Sequence, residues 1–308
     1  MENQPVEKFG KYNLLRKIGQ GGMAEVFLAT MDGAAAGTPP IVIKRLHQEL
    51  ERNRDAVDLF LTEADVTIML SHPNIIRVYD SGEINNRYYM AMEYVHGKDL
   101  EQITDRFQAK NHVMEPYAAA YIMACVLRGL DYVHRAKTPS GRDLGIVHRD
   151  VTPSNVYVAS SGHVKLGDFG VAKLMAVEGW TMAGSVKGKL GYLSPEQIGG
   201  QPPSQAIDLW GAAVIFYELA SGQRLFTGDN ELDVMLRIKK AKVASLRKAN
   251  KAAPKPLERI LEKALHHKPH KRYPTAADFL KDVEAFQATA TVAFTPEILV
   301  QYLVSTLS

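Results

Sequence analysis

The order of its predicted elements places this chain in the α+β class, with a strand-rich part followed by a helix-rich part in two segregated lobes. Patterns typical of strands lie at 12–18, 25–29, 41–44, 75–79 and 88–94, with one amphipathic helix over 55–70. Beyond residue 97 helical patterns dominate, most clearly at 116–135, 205–221, 256–267 and 275–286. We therefore predict lobes over 1–95 and 96–288, a hinge near 93–97, and a C-terminal tail over 289–308 that contains a helix.

Each element has a local justification. The strands at 12–18 and 25–29 flank a glycine cluster, and a connection rich in Gly, Ala and Pro at 32–40 precedes the apolar run at 41–44. The helix over 55–70 carries apolar residues at helical spacing: Val57, Phe60, Leu61, Ala64, Ile68 and Met69. The stretch 136–145 is predicted to be a surface loop. In the tail, Thr295 and Pro296 suit an N-cap and first helical turn, and its apolar content predicts docking on the domain itself in preference to a partner.

Composition limits the possible partners and compartment. Hydrophobic residues make up 46% and charged residues 23% of the 308, which is ordinary for a globular protein. The net charge of +3, from 37 basic and 34 acidic residues, does not indicate a nucleic-acid partner. The single cysteine, Cys125, excludes an internal disulfide and fits a reducing compartment. With neither a signal-peptide pattern nor an apolar run long enough to span a membrane, we expect a cytoplasmic protein.

The first chemical signal is the glycine cluster between two predicted strands, Gly19-Gln20-Gly21-Gly22-Met23-Ala24-Glu25-Val26. Glycines let backbone amides approach phosphate oxygens closely, although a glycine-rich hairpin is often only a tight turn. A dinucleotide-binding fold would need a helix directly after the glycines, and here a strand follows.

Downstream residues supply the rest of a phosphoryl-transfer site. Lys44 ends an apolar strand, where an ammonium group needs an anion, and Glu63 lies on the following helix. Asp150 follows His148-Arg149, Asn155 comes five residues later, and Asp168 begins Asp-Phe-Gly. Together they provide a base, two oxygen ligands for a hard cation and a lysine for phosphate. Taken singly, each has an ordinary alternative: a strand–helix ion pair, a capped turn, or a bend before Phe-Gly.

In this order the motifs resemble those of the eukaryotic-type protein kinase family over roughly residues 10 to 287. The Gly-Gly-Met loop and the Tyr-Leu-Ser-Pro-Glu-Gln segment at 192–197 are similar to those of bacterial members. The resemblance implies the two-lobed kinase fold, with ATP and Mg²⁺ as cofactors. Lys44 would hold the α- and β-phosphates and pair with Glu63, Asp150 would be the catalytic base, and Asn155 and Asp168 would hold Mg²⁺.

The resemblance also implies a nucleotide pocket. Met92 matches the gatekeeper position, Glu93 and Val95 would offer backbone groups to adenine, and Asp99 would contact ribose. An apolar strand residue and a solvated acid are the ordinary alternatives for Met92 and Asp99. The complete set of implied nucleotide-binding residues is Ile18, Gly19, Gly21, Gly22, Val26, Val42, Lys44, Met92, Glu93, Val95, Asp99 and Tyr157.

Motifs after residue 190 favour a protein substrate over a small molecule. Ser194-Pro195-Glu196 matches the end of a protein kinase activation segment, and Asp208 resembles the start of the buried central helix. The resemblance implies a structural ion pair between Glu196 and Arg272. Arg149 matches a residue that grips a phosphorylated activation segment, which predicts autophosphorylation at Thr181 and Ser185; constitutive activity is the alternative.

Three departures from the family pattern stand out. Ala24 replaces the third loop glycine, and Val42 replaces the alanine above adenine. Thr152 stands where serine/threonine kinases carry a lysine, and Lys189 stands where they carry a threonine. We predict that the two side chains have been exchanged at Asp150, which makes Lys189 part of the catalytic set. The alternative is one lost lysine and one solvated lysine.

The sequence thus predicts a protein kinase that transfers the γ-phosphoryl of ATP to serine or threonine hydroxyls of protein substrates. A tyrosine or dual-specificity kinase is an alternative, because the usual lysine is missing at position 152. A catalytically weak kinase-fold scaffold is another. The intact set Lys44, Glu63, Asp150, Asn155 and Asp168 argues against the scaffold. The sequence names neither the substrate protein nor the oligomeric state.

Overall fold

A computed structural model describes residues 7–138, 140–169 and 189–307. These residues form two compact units, one comprising 7–95 with Phe169 and the other 96–168 with 189–307. The first unit is mostly strands and the second mostly helices. The α+β class predicted from the sequence is therefore confirmed.

The first unit is a six-stranded antiparallel sheet with one long helix. The strands are β1 (Glu7–Phe9), β2 (Tyr12–Gln20), β3 (Ala24–Met31), β4 (Ile41–Leu46), β5 (Val78–Ile84) and β6 (Arg87–Glu93). Their order in the sheet is β1-β2-β3-β4-β6-β5. The helix α1 (Arg54–Ile68) begins at Asn53, whose side chain accepts a hydrogen bond from the Ala56 N–H.

The two faces of this sheet bury different clusters, because successive side chains of a strand point to opposite faces. One face packs with α1 and contains Ala24, Leu46, Val57, Phe60, Ala64, Val78 and Met90. The other contains Phe9, Tyr12, Leu14, Ala29, Ile43, Tyr89 and Ala91. Residue Val26 pairs with Lys44, and Glu25 pairs with Arg45. Lys44 therefore lies on the α1 face and Arg45 on the opposite face.

The strand predicted at 75–79 is wrong in position, since β5 runs from Val78 to Ile84. Ile75 and Ile76 are buried, but Ile75 closes a turn by donating to the His72 carbonyl. The strand itself is polar because it lies at the edge of the described sheet and pairs only with β6. The apolar residues Ile75 and Ile76 thus belong to the buried turn before β5, whereas β5 itself is too polar for its sequence to indicate a strand.

The second unit is a set of helices with a small sheet. Its helices are α2 (Leu100–Ala109), α3 (Pro116–His134), α4 (Pro195–Ile198), α5 (Gln205–Ser221), α6 (Glu231–Lys240), α7 (Leu246–Ala249), α8 (Lys255–Ala264), α9 (Ala276–Gln287) and α10 (Pro296–Leu307). The strands β7 (Gly97–Asp99), β8 (Val156–Ala159) and β9 (Val164–Leu166) pair antiparallel in that order. The central helices α3 and α5 are buried along most of their lengths. Across the described ranges, every helix is too short or too polar to traverse a bilayer.

The tail helix α10 docks on the second unit, as predicted. Leu299 is fully buried, and the Tyr302 hydroxyl accepts a hydrogen bond from the Glu115 N–H at 2.8 Å. The ring of Tyr302 lies 6.1 Å from that of Phe107 on α2. At Gly162 an added Cβ would lie 1.9 Å from the Pro296 carbonyl oxygen, so close approach of the helix start requires glycine there.

Candidate active site

The glycine hairpin between β2 and β3 leaves space for a ligand. Neither Gly19 nor Gly21 has a positive φ. A Cβ added at either position would meet nothing closer than 3.6 Å. The backbone of the hairpin therefore does not itself demand glycine at these two positions. An incoming group that must touch the main chain explains them, which favours the phosphate interpretation over a simple tight turn.

On the α1 face of the sheet, Lys44 and Glu63 form an ion pair with Nζ 2.7 Å from Oε1. Both side chains are largely buried, at 16% and 8% exposure. Burial of this pair removes much of the solvent screening that weakens surface ion pairs, so the carboxylate holds the ammonium in one position. Val26 is the cross-strand partner of Lys44 and points to the same face.

The residues predicted to surround adenine lie at one end of the same sheet. Met92 on β6 is opposite Val42 on one side and Val78 on the other, so three apolar side chains share a face. The Glu93 N–H donates to the Arg77 carbonyl at 2.8 Å, so this amide is already engaged by the protein. Val95 ends the first unit and is partly buried. The remaining predicted contacts, Ile18 on β2 and Gly22 in the hairpin, are exposed.

In the second unit, Asp208 organises the loop that carries Asp150. Asp208 is buried at the start of α5 and accepts hydrogen bonds from the backbone N–H groups of His148 and Arg149, at 2.8 and 2.7 Å. The imidazole of His134 on α3 also contacts it, at 2.8 Å. Arg149 has a φ of 67°, a left-handed conformation that few arginines adopt. The buried carboxylate holds this strained backbone and thereby fixes the position of Asp150.

His148 is held in one neutral tautomer. Its Nδ1 accepts from the Asp150 N–H at 3.3 Å, and its Nε2 donates to the Gly167 carbonyl at 3.1 Å. Burial lowers the pKa of His148, although the charge of Asp208 opposes the shift. The ring thus connects the loop of Asp150 to the strand end that precedes Asp168.

Asn155 and Asp168 provide oxygen ligands suited to a hard cation. The Asn155 Nδ2 donates to the Asp150 carbonyl at 2.8 Å, which orients its Oδ1 as the atom for a metal. Asp168 has a φ of 54°. Mg²⁺ binds one or two protein oxygens and completes its shell with water and phosphate, so this small donor set fits it. Within 7–138, 140–169 and 189–307, groups of three or more His, Cys, Asp or Glu suited to a metal are absent.

Tyr157 lies on β8, and its hydroxyl donates to Asp168 Oδ2 at 3.3 Å. The charge of Asp168 and burial raise the pKa of Tyr157, so the phenol keeps its proton and can donate. Asp99, predicted to contact ribose, is the N-cap of α2 and accepts from the Gln102 N–H at 2.8 Å. The Gln102 side-chain amide also donates to Asp99. The structure thus gives Asp99 a helix-capping role, which differs from the solvated acid named as its alternative; the ribose contact stays a prediction.

The Lys189 ammonium lies 3.0 Å from Asp150 Oδ2. The Lys189 side chain is 38% exposed, whereas that of Asp150 is 9% exposed. The Thr152 hydroxyl pairs with Ser154 Oγ at 3.1 Å. Lys189 therefore places a cation beside the predicted base. The resemblance would place this lysine at position 152, which is Thr152 in this chain.

Glu196 and Arg272 form a bidentate buried ion pair. Arg272 Nη1 and Nη2 lie 2.6 and 3.0 Å from the two carboxylate oxygens of Glu196. The guanidinium also donates from Nε to the His266 carbonyl at 2.8 Å and packs over the Trp210 ring. These contacts tie α4 to the segment before α9.

Two predicted phosphorylation sites and two histidines that were not predicted complete the comparison with the sequence. Thr181 and Ser185 lie outside the described residues. His134 and His47 make contacts at the site that the sequence did not signal: His134 with Asp208, and His47 with the Gly21 carbonyl. No local motif marks either histidine, because each contact joins residues far apart along the chain.

Comparisons with known proteins agree with this geometry. Residues 12–283 match the family model of the protein kinase domain. The chain is 36% identical over 281 residues to the tyrosine-protein kinase MasK of Myxococcus xanthus, covering 91% of this chain and 44% of that protein. It is 33% identical over 283 residues to the serine/threonine-protein kinase PrkC of Bacillus subtilis, covering 91% and 41%. The chain thus spans less than half the length of these curated relatives.

A solved structure supports the fold. The crystal structure of the Mycobacterium tuberculosis PknI kinase domain superposes with a TM-score of 0.67 at 24% identity, covering 92% of this chain and 98% of that one. The family match extends over most of the chain, from β2 into α9, and includes every residue of the predicted catalytic set. This chain therefore belongs to the protein kinase domain family.

Proposed function

We propose that this chain is a protein kinase that transfers the γ-phosphoryl of ATP to serine and threonine hydroxyls of protein substrates. The observation that carries the proposal is the Asp150 loop, with a carboxylate on an ordered backbone and a cation 3.0 Å away. Phosphoryl transfer requires a base and a neutralising charge close to the reacting atoms. The Lys44–Glu63 pair, at 2.7 Å, adds a fixed lysine for phosphates.

In this mechanism Asp150 orients the substrate hydroxyl and accepts its proton. The hydroxyl oxygen forms a bond to the γ-phosphorus as the bond from that phosphorus to the β,γ-bridging oxygen breaks, and ADP leaves. Lys44 binds the α- and β-phosphates, and Lys189 neutralises charge near the transferring group. Asn155 and Asp168 would hold Mg²⁺, which supplies further charge neutralisation when bound.

Serine and threonine are the favoured acceptors because Pro153 and the segment 192–196 resemble that branch of the family. Tyrosine is the second candidate, since the relative at 36% identity is named a tyrosine-protein kinase. A scaffold without activity has no use for the intact set Lys44, Glu63, Asp150, Asn155 and Asp168. The cytosolic address stays a prediction from sequence.

The test is incubation with ATP and Mg²⁺, with a generic protein substrate, followed by mass-spectrometric mapping of phosphorylated residues. We expect phosphate on serine and threonine of the substrate, and autophosphorylation at Thr181 and Ser185. Phosphate confined to tyrosine would transfer the assignment to the second candidate. Absence of phosphate on the 168–196 segment would remove the proposed regulatory role of Arg149. Absence of any transfer would refute the kinase proposal.

A further inference from the structure

His47, directly after β4, holds the glycine hairpin by two hydrogen bonds. Its Nε2 lies 2.8 Å from the Gly21 carbonyl oxygen, and its backbone N–H donates to the Met23 carbonyl at 2.9 Å. Because a carbonyl can only accept, the imidazole donates and carries a proton on Nε2. A side chain thus fixes the orientation of one peptide group at the tip of an exposed, glycine-rich loop.

The direction of this bond follows from strand alternation. Lys44 points to the α1 face, and Arg45 points to the opposite face. His47 lines a polar cavity of about 630 Å³ together with Arg45, Glu25 and Arg87, and the glycine hairpin forms part of its wall. The Gly21 carbonyl, which His47 holds, is therefore directed toward the face opposite Lys44.

Peptide geometry then determines the next amide. The described chain contains no cis peptide bond, and in a trans peptide the C=O and the following N–H point in opposite directions. With the Gly21 carbonyl directed to the Arg45 face, the Gly22 N–H is directed to the Lys44 face. Lys44 is the residue assigned to the nucleotide phosphates, so the Gly22 amide becomes a donor on the same side.

We propose that His47 is a positioning residue for nucleotide phosphate, acting through the Gly21–Gly22 peptide. This inference rests on the proposed function. Glycine loses more backbone freedom on ordering than any other residue. Fixing the peptide before the ligand arrives reduces the ordering that binding requires, and so strengthens binding of the phosphate groups. His47 itself lies on the opposite face and does not touch the ligand.

A purely structural role for His47 predicts a different result. Loosening of the whole sheet would weaken the binding of adenosine and of ADP equally, because Met92 and Glu93, which are predicted to contact adenine, belong to the same sheet. Loss of a single oriented amide would weaken only ligands that carry phosphate. The difference between adenosine and ADP affinity therefore separates the two roles.

The experiment is titration calorimetry of adenosine, ADP and Mg²⁺-ATP with wild type, His47→Leu, His47→Asn and His47→Gln. Leucine removes the donor, asparagine keeps an amide that is too short to reach, and glutamine places a donor at about the reach of Nε2. The matched control is Gln48→Ala, which truncates the exposed neighbour in the same cavity wall.

We expect His47→Leu and His47→Asn to bind ADP and ATP about three- to tenfold more weakly, as expected for one hydrogen bond. Adenosine affinity should be unchanged, and His47→Gln should recover most of the loss. Unchanged ADP affinity in both His47→Leu and His47→Asn, or an equal loss for adenosine, would overturn the inference. Wild type that binds no ATP or ADP would refute the proposed function as well, and that failure is visible without any variant.

Discussion

Replacing Lys189 by alanine tests whether its ammonium serves catalysis. The change removes a cation 3.0 Å from Asp150 without altering the buried groups that hold the loop. Because Lys189 contacts Asp150, the predicted catalytic base, we expect Lys189→Ala to lower the catalytic rate with only a modest change in ATP affinity.

The magnitude is scaled from this contact, taking the ammonium to lie as close to the transferring phosphoryl group as it lies to Asp150. Two unit charges at 3.0 Å attract by about 1.4 kcal/mol in a water-like medium and about 5.5 kcal/mol at an effective dielectric constant near 20. Each 1.36 kcal/mol is about tenfold in rate. Since the Lys189 side chain is 38% exposed, the lower part of this range applies. We expect the rate to fall by roughly one to three powers of ten.

The assay is steady-state phosphorylation of an external protein substrate at varied ATP, with Lys239→Ala on α6 as the matched loss of an exposed lysine. A double exchange, Thr152→Lys with Lys189→Thr, restores the usual family order and should recover a substantial part of the activity, whereas Lys189→Thr alone should not. Such non-additivity is expected only if both positions serve one site. An unchanged rate in Lys189→Ala, with normal folding, would show that Lys189 is merely a solvated lysine.

Three further outcomes follow from the same geometry. Asp150→Asn should retain ATP affinity in calorimetry but lower the phosphorylation rate by about 10²- to 10⁴-fold, and a loss of only a few-fold would contradict its role as base. Arg272→Ala should lower the free energy of unfolding by about 3–5 kcal/mol in denaturant titration, because Glu196 stays buried without its partner; the exposed neighbour Lys271 should tolerate alanine within about 0.5 kcal/mol. Because the pKa of His148 is lowered in the folded protein, the unfolded chain takes up this proton at a higher pH than the folded chain does. The free energy of unfolding should therefore fall as the pH drops below about 6.5, by at most about 1.4 kcal/mol per pH unit. His148→Phe should reduce that slope in pH-dependent unfolding, and an unaltered slope would contradict the assignment.

Sequence patterns predicted the long buried elements well and the short or polar ones poorly. Helix α5 was predicted at 205–221 and runs from Gln205 to Ser221, because its apolar residues are dense. Helix α2 was missed although Leu100, Ile103 and Phe107 form a buried face behind the Asp99 cap. Ten residues with few apolar positions give a weak periodic signal, and Asp99 was interpreted as a ribose contact or a solvated acid rather than as a cap.

The site shows the same division between local and non-local information. The contact of Lys189 with Asp150 was predictable because each position is counted from a nearby motif, whereas the exchange of roles with Thr152 stays a prediction. The contacts of Asp208 with His134 and of His47 with Gly21 were not, since they span 74 and 26 residues along the chain. A histidine at the end of a helix or strand looks the same in sequence whether it is solvated or bonded to a distant carboxylate or carbonyl.

Exposure distinguishes Asp208 and Arg272, which hold parts of the site in place, from Lys189 and His47, which are proposed to act on phosphate. Asp208 and Arg272 are almost fully buried and bond backbone or carboxylate, so their loss should appear first in the free energy of unfolding. Lys189 and His47 are more accessible, and the side chain of each makes one polar contact, Lys189 with Asp150 and His47 with the Gly21 carbonyl. Their loss should appear in rate or phosphate affinity while stability changes little, because an accessible polar group exchanges its partner for water. The double variant Arg272→Ala with Lys189→Ala should therefore show both losses independently. Its free energy of unfolding should match that of Arg272→Ala, and its turnover rate should match that of Lys189→Ala.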